Sequence, residues 1–310
     1  MNRFNYINPS YNSDRYTPDD LGMGYLFADT FKLNLRYVMG AKHWRYYDGS
    51  IWKEDTEGIY ASRCAKLLAE HLKSLETDNS PEMNGYAGLL AKRTQRDKMI
   101  RDGMDVNPLA LSDFDADPYL LNCLNGTIDL RIGQFREHDP AHFLSKRANA
   151  EYIPDAKCCR WNRFIEEITC GDEELALYLQ KILGYGLSGD ISEECLFILY
   201  GPTTRNGKGT LMETIHNLLG DYSATIQPGS LAQKQSTGSG HSADVARLAG
   251  IRFVNASELP SGLKLNAAKV KQMTGGDTLT TRYLYQNFFE YRPQFKIFIN
   301  TNHLPGYRGR

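Results

Sequence analysis

The feature that most constrains the fold is a glycine-rich segment that lies between a short apolar run and a helical pattern. Residues 195–200, CLFILY, form the apolar run, which is typical of a strand buried on both faces of a parallel sheet. Residues 208–219 have helical spacing, and the segment 201–210, GPTTRNGKGT, joins the two. The order of strand, glycine loop and helix predicts an α/β fold with a parallel sheet.

The segment 201–210, called the phosphate loop below, has the composition of a loop that binds phosphate groups. Glycines allow backbone N–H groups to converge on phosphate oxygens, and the N-terminus of the next helix adds partial positive charge. A lysine after the last loop glycine can reach the outer phosphates of a nucleotide. The predicted nucleotide-binding residues are Gly201, Asn206, Gly207, Lys208, Gly209 and Thr210.

The phosphate loop differs from its consensus in two ways. Lys208 stands seven positions after Gly201, one more than in the consensus, so the loop is one residue longer. Gly209 replaces the usual serine or threonine that binds Mg²⁺, which leaves Thr210 as the nearest hydroxyl, to act directly or through water. Because the sequence GKGT also occurs in nucleotide kinases, the loop alone indicates a nucleotide and not a reaction.

Hydrolysis of a nucleoside triphosphate also needs an acid that holds Mg²⁺ or orients water, and a polar group near the γ-phosphate. Two further predicted strands, 251–256 and 295–300, are followed by Glu258 and Asn302. A surface carboxylate at a turn is the alternative interpretation of Glu258, and Asn300 competes with Asn302. The predicted catalytic residues are Lys208, Glu258 and Asn302, and the predicted metal ligands are Thr210 and Glu258.

Charge is unevenly distributed along the chain. The net charge is -1, but residues 241–310 carry a net +6 and the preceding residues a net -7. Within the basic part, Lys271, Arg282 and Tyr285 lie in a block that combines cations with aromatic residues. Cations that hold a phosphate backbone and an aromatic ring that stacks on bases suit single-stranded DNA. Core packing of the aromatic residues and an ion pair of Arg282 with Glu290 are the alternatives.

The N-terminal half has a different pattern, which indicates a smaller α+β domain. Helical spacing covers residues 61–75 and 89–104, and Asn125-Gly126 between two apolar runs predicts a hairpin. The segment IPDA at 153–156 reads as a linker. We therefore predict two domains, 1–155 and 156–310.

Several classes of protein are excluded by composition. Apolar residues make up 41% of the chain and charged residues 24%, which excludes a disordered chain. No apolar run approaches the ~18 residues of a membrane helix, and the first 20 residues lack the apolar region of a signal peptide. The six cysteines lack zinc-site spacing. We expect a cytoplasmic protein without membrane association.

The ordered set of motifs resembles the superfamily 3 helicase domain of phage and plasmid primase-helicases. The set comprises the phosphate loop, Glu258, the block 271–282 and the strand end 301–305, TNHLP. Residues 44–55, 125–129 and the linker before Trp161 resemble the domain that precedes this helicase in the same proteins and in the poxvirus primase-helicase. The resemblance covers the chain after about Leu21.

This resemblance implies a P-loop NTPase of modified AAA+ type, with ATP and Mg²⁺ as ligands. It further implies a ring-shaped homo-hexamer that moves on single-stranded DNA during phage or plasmid replication, alongside a primase and other replication proteins. Lys208 would neutralise the β- and γ-phosphates, Thr210 would help place Mg²⁺, Glu258 would polarise the attacking water and Asn302 would sense the γ-phosphate. In the family, the block between the acid and the sensor forms a hairpin that lines the pore, and residues 278–285 and 288–291 fit its two arms. The resemblance therefore makes Lys271, Arg282 and Tyr285 the predicted DNA contacts.

Two elements of the family have no counterpart in this sequence. The residues before Leu21 cannot encode the polymerase-like primase domain, so primer synthesis is not expected. The sequence ends just before the position of the family's arginine finger, which can accelerate hydrolysis by ~10³–10⁵-fold. We therefore expect ATP binding with weak hydrolysis in the chain as given. The alternatives are a non-catalytic, ATP-gated DNA-binding or replisome-assembly module, and a nucleotide kinase.

Overall fold

The computed structural model describes residues 14–75, 81–232, 242–257, 259–282 and 288–306. The chain divides into two units by its internal contacts. The first contains the described residues up to Ala116 together with Asp139–Ser145, and the second contains Asp117–His138 and the described residues from Lys146 onward.

The first unit combines helices with a three-stranded antiparallel sheet. The elements are α1 (Asp20–Phe31), β1 (Leu35–Val38), β2 (His43–Tyr47), β3 (Trp52–Glu54), α2 (Ile59–Leu75), α3 (Pro81–Leu90) and α4 (Arg93–Asp102). The sheet order is β1-β2-β3. The core of the unit joins α1 to the sheet through Phe27 and Trp44, whose ring centroids are 5.8 Å apart, and continues into α2 through Leu68 and Leu72.

The helix predicted over 61–75 is confirmed. The helix predicted over 89–104 is confirmed from Arg93 to Asp102, but its predicted start is wrong. Residues 89 and 90 belong to α3, because Lys92 adopts an extended conformation between α3 and α4. The guanidinium of Arg96 donates to the carbonyl oxygens of Leu90 and Ala91 at 2.6 and 2.9 Å, and so satisfies carbonyls at the end of α3.

The second unit contains a small antiparallel sheet followed by alternating helices and strands. The predicted hairpin is confirmed, with Gly126 between its first two strands. The elements are β4 (Leu120–Asn122), β5 (Thr127–Asp129), β6 (Gln134–Arg136), α5 (Cys159–Ile168), α6 (Glu173–Leu187), β7 (Leu196–Tyr200), α7 (Lys208–Leu219), β8 (Ser223–Ile226), α8 (Ser242–Ala246), β9 (Phe253–Ser257), α9 (Ala267–Thr274), β10 (Leu279–Thr281), β11 (Phe289–Tyr291) and β12 (Lys296–Thr301).

A four-stranded parallel sheet forms the centre of the second unit, and its order is β7-β12-β9-β8. The predicted parallel sheet preceded by a smaller domain is therefore observed. The strand at 195–200 is confirmed, but its expected burial on both faces is wrong. Because β7 lies at the edge of the sheet, Ile198 and Tyr200 remain 39% and 49% exposed.

The expected boundary near residue 155 does not coincide with the division between the two units. The sheet β4-β5-β6 belongs to the second unit, because Leu121, Cys123 and Ile128 share a core with Leu219 and Phe298. Asn149 also joins this core region to α7, since its backbone N–H donates to the carbonyl oxygen of Leu218 at 2.9 Å.

Two cations are buried at the end of the parallel sheet where β12 begins. Arg252 and Lys296 are 0% and 1% exposed. Arg252 donates to the carbonyl oxygens of Leu187 and Leu120 at 2.9 and 2.7 Å, and Lys296 donates to that of Ser188. Both side chains therefore bind carbonyl groups at or near the end of α6, where a positive charge is favourable.

Candidate nucleotide-binding site

The phosphate loop connects β7 to α7, as its position in the sequence predicts. The backbone N–H of Gly201 donates to the carbonyl oxygen of Thr301 at 3.3 Å, so the pairing of β7 with β12 continues into the loop. Gly207 precedes α7 with φ of 83°, a left-handed conformation that favours glycine. The loop therefore delivers the N-terminus of a 12-residue helix to the carboxyl end of the sheet.

Two of the three loop glycines lie close to neighbouring side chains. A Cβ atom on Gly201 would lie 2.3 Å from Asn206 Nδ2 and 3.1 Å from Lys208 Nζ. A Cβ atom on Gly207 would lie 2.4 Å from Cγ2 of Ile168. A Cβ atom on Gly209 would meet no heavy atom within 4 Å, so packing does not explain this glycine.

The Lys208 ammonium group is surrounded by four oxygen atoms. It donates to Asn206 Oδ1 at 2.7 Å, to Asn302 Oδ1 at 2.9 Å, and to the carbonyl oxygens of Gly201 and Thr203 at 3.2 and 3.4 Å. All four are neutral acceptors. Burial lowers the pKa of Lys208, because removal from water disfavours the charged form.

Asn206 holds the lengthened loop together. Its side-chain Nδ2 donates to the carbonyl oxygen of Thr203 at 3.0 Å, while its Oδ1 accepts from Lys208. The amide group thus bridges the middle of the loop and the ammonium group. The sequence identified Asn206 as a loop residue, but nothing in its spacing indicated this bridging role.

Asn302 reaches the loop because β12 lies beside β7. Thr301 pairs with Tyr200 in the register of the two strands, so the residues that follow them emerge side by side. The Thr301 hydroxyl donates to the carbonyl oxygen of His303 at 2.8 Å and accepts from its N–H at 3.0 Å. This turn fixes the tip of β12 and directs Asn302 onto the lysine that stands 94 positions earlier.

Glu258 lies outside the described residues, and so does Tyr285. Strand β9 ends at Ser257, which pairs with Asn300 of β12, so the described end of β9 reaches the same edge of the sheet as the phosphate loop. Thr210 is exposed in the first turn of α7. The catalytic and metal-binding roles of these residues remain predictions.

The other predicted DNA contacts lie on α9 and beside the hairpin β10–β11. Lys271 is exposed on α9. The two arms pair antiparallel, with Leu279 opposite Tyr291, and the guanidinium carbon of Arg282 lies 4.8 Å from the ring centroid of Phe288. Phe288 itself is 63% exposed. An exposed aromatic ring beside a guanidinium is a combination on which nucleic-acid bases can stack.

Sequence reasoning missed the side chains of α5 that contact the phosphate loop. The apolar residues of α5 recur with helical spacing, at Trp161, Phe164, Ile165 and Ile168. This spacing predicts an apolar face but does not identify what that face contacts. In the structure, Ile168 and Phe164 lie directly against Gly207.

The described residues contain neither a membrane-spanning helix nor a cluster of metal-binding side chains. Across the described part of the chain, no helix is long and apolar enough to cross a membrane. The same residues contain no group of three or more histidine, cysteine, aspartate or glutamate side chains that could hold a metal ion.

Comparison with protein families gives two matches that together cover most of the chain. Residues 24–170 match the family described as D5 N terminal like. Residues 199–310 match a family of unknown function, DUF5906.

Two curated viral proteins are similar in sequence. One, from Acanthamoeba polyphaga mimivirus, is named "Putative helicase L207/L206" and is 31% identical over 79% of this chain and 27% of its own length. The other, from Frog virus 3 (isolate Goorha), is named "Putative helicase 022R" and is 23% identical over 62% of this chain and 26% of its own length. The chain therefore spans about a quarter of the length of these relatives.

The fold resembles that of the C-terminal region of NrS-1 in its A-form apo structure. The TM-score is 0.50 at 9% sequence identity, and the match covers 91% of this chain and 56% of the other. At this identity the likeness concerns the fold alone. Together, the family matches and the two viral relatives confirm the resemblance to primase-helicases.

Proposed function

We propose, from its match to the D5 N-terminal-like family and its resemblance to primase-helicases, that this chain contains the ATP-hydrolysing motor of a DNA replication helicase. Hydrolysis would drive movement along single-stranded DNA. The phosphate loop would bind ATP, and the region of the hairpin β10–β11 would contact the DNA. The proposed architecture is the P-loop NTPase of modified AAA+ type.

One observation carries this proposal: the Lys208 ammonium group is 2.9 Å from Asn302 Oδ1. The two residues belong to different elements, and only the adjacency of β7 and β12 brings them together. A lysine at a helix N-terminus neutralises phosphate charge, while an amide at a neighbouring strand tip can hydrogen-bond the γ-phosphate or the attacking water. Both groups are needed to couple binding of a triphosphate to its hydrolysis.

The remaining chemistry is assigned by position. Mg²⁺ prefers oxygen ligands and neutralises charge that develops on the phosphates. Thr210 is exposed in the first turn of α7, beside the loop, where its hydroxyl would serve as one oxygen ligand of Mg²⁺. The carboxylate of Glu258 would be the second ligand. As the residue after β9, Glu258 would also polarise the attacking water. Lys208 would neutralise the outer phosphates. Their oxygen atoms would replace the four neutral oxygen atoms that now accept hydrogen bonds from its ammonium group.

The DNA-binding surface and the assembly belong to the same proposal. Lys271 and Arg282 would hold the phosphate backbone, and Tyr285 would stack on a base, a combination that tolerates any sequence. A ring of six copies would bring this surface to a central pore. A primase and other replication proteins are the expected partners.

The experiment that tests the proposal is ATP turnover by the full chain with and without single-stranded DNA. We expect DNA to stimulate turnover, and Lys208→Ala to abolish ATP binding or turnover without unfolding the protein. Lys181→Ala, at an exposed lysine on α6, is the matched control and should behave as the parent chain. Full turnover in the Lys208→Ala variant would refute the site.

The same measurements distinguish the motor from the principal alternative. A non-catalytic module would bind DNA in an ATP-dependent manner and show no turnover, even in a longer form of the protein. Phosphoryl transfer to nucleoside monophosphates would instead identify a nucleotide kinase.

A further inference from the structure

Helix α5 places an aromatic and an aliphatic side chain directly beside the phosphate loop. A Cβ atom at Gly207 would lie 2.4 Å from Ile168 Cγ2 and 3.4 Å from Phe164 Cε2. Both side chains are only partly buried, so a part of each faces solvent next to the loop. We call these two residues the α5 flank.

The α5 flank is supported from behind. The ring centroids of Trp161 and Phe164 are 5.7 Å apart, and Trp161 packs against a core that includes Met212 and Ile215 of α7. Helix α5 therefore packs on the same core to which α7 contributes. An anchored aromatic ring loses little conformational entropy when it meets a ligand, which suits it to recognition.

A triphosphate bound at residues 207–210 brings its nucleoside against the walls of the loop. The phosphates occupy the N–H groups at the start of α7, and the sugar and base extend from the α-phosphate over a neighbouring surface. The α5 flank is a surface of carbon atoms continuous with the loop. A base can stack on such a surface irrespective of its hydrogen-bonding pattern.

We propose that the α5 flank receives the nucleobase of the bound triphosphate, with Phe164 as the stacking group and Ile168 as the aliphatic wall. This inference rests on the proposed function, because it needs a triphosphate in the phosphate loop. It assigns the base contact to residues outside the loop motif. Because stacking depends on the area of the base and not on its hydrogen-bonding groups, we expect ATP and GTP to bind with similar affinity.

The test compares two ligands that share phosphates but not a base. The dissociation constants of Mg-ATP and of inorganic tripolyphosphate are measured for the full chain and for the Phe164→Ala variant. We expect Phe164→Ala to weaken ATP binding by at least about tenfold, the usual loss for one base–aromatic stack, and to leave tripolyphosphate binding unchanged. The control is Leu177→Ala on α6, where the side chain is 50% exposed.

Two outcomes would overturn the inference. Unchanged ATP affinity in Phe164→Ala would show that the ring does not meet the base. Equal weakening of ATP and tripolyphosphate binding would show that Phe164 supports the phosphate loop and does not bind the base. A second variant, Phe164→Leu, retains bulk against Gly207 without an aromatic face and should show the same selective loss. A parent chain that binds neither ligand would refute the proposed function itself.

Discussion

Lys296 provides a quantitative test of the packing around the parallel sheet. Its side chain is 1% exposed, and its ammonium group donates to the carbonyl oxygen of Asp190 at 3.0 Å and lies 4.6 Å from the ring centroid of Tyr185. Burial, with a smaller contribution from the charge of Arg252, lowers the pKa of Lys296 to about 7. The folded protein therefore releases this proton at a lower pH than the unfolded chain does.

The direction of the pH dependence follows from that difference. Below pH 7 both states hold the proton, and the full cost of burying the charge is present. Between about 7 and the ordinary value of 10.5, the unfolded chain holds one more proton, so the free energy of unfolding rises with pH. The rise for one proton is at most ~1.4 kcal/mol per pH unit. Over this range, the lowered pKa of Lys296 therefore raises the free energy of unfolding by roughly a few kcal/mol.

The assay is urea unfolding between pH 7 and 9.5 for the parent chain and for Lys296→Met, which retains the approximate length without the charge. The difference in unfolding free energy between the two proteins should change with pH by about 1 kcal/mol per unit, because other titrations cancel in the difference. Lys181→Met at an exposed site is the control and should show no such change. A pH-independent difference for Lys296→Met would refute the reasoning.

Three further substitutions test other parts of the structure. Gly207→Ala places an L residue in the left-handed region and against Ile168, so we expect thermal unfolding to show a stability loss of about 1–3 kcal/mol, together with loss of ATP binding. The control Gly209→Ala should fold normally, because a Cβ atom there meets no heavy atom within 4 Å. Asn302→Leu removes the acceptor at 2.9 Å from Lys208 and should reduce kcat at least tenfold with little change in the Kd for ATP; an unchanged kcat would contradict the assignment. Asp55→Ala removes the carboxylate that accepts hydrogen bonds from the N–H groups of Tyr60 and Ala61 at the start of α2. Chemical denaturation should show a decrease of about 1–2 kcal/mol in the free energy of unfolding, and an unchanged denaturation midpoint would contradict this role.

The features that the sequence predicted well depend on local chemistry. The order of strand, glycine loop and helix around Gly207 follows from the spacing of apolar residues and from backbone conformations that only glycine adopts easily. The hairpin at Asn125-Gly126 follows from turn preferences in the same way. In both cases, neighbouring residues along the chain contain the necessary information.

The features that were missed depend on contacts between distant residues. An apolar run does not distinguish a central strand from an edge strand, so the exposure of Tyr200 on β7 could not be predicted. The break between α3 and α4 occurs without glycine or proline, at Lys92. The contact of Phe164 with Gly207 joins residues 43 positions apart in the sequence (207 − 164), and no periodicity encodes it.

Strand β12 has a mechanical consequence for the site at its tip. Five of its residues pair with β7 on one side and five with β9 on the other, and its first residue is bound at the end of α6. Sliding this strand along its axis would break both ladders of hydrogen bonds at once. A ligand in the phosphate loop can therefore be accommodated by rotation of the Asn302 and Lys208 side chains, without displacement of the strand that bears Asn302.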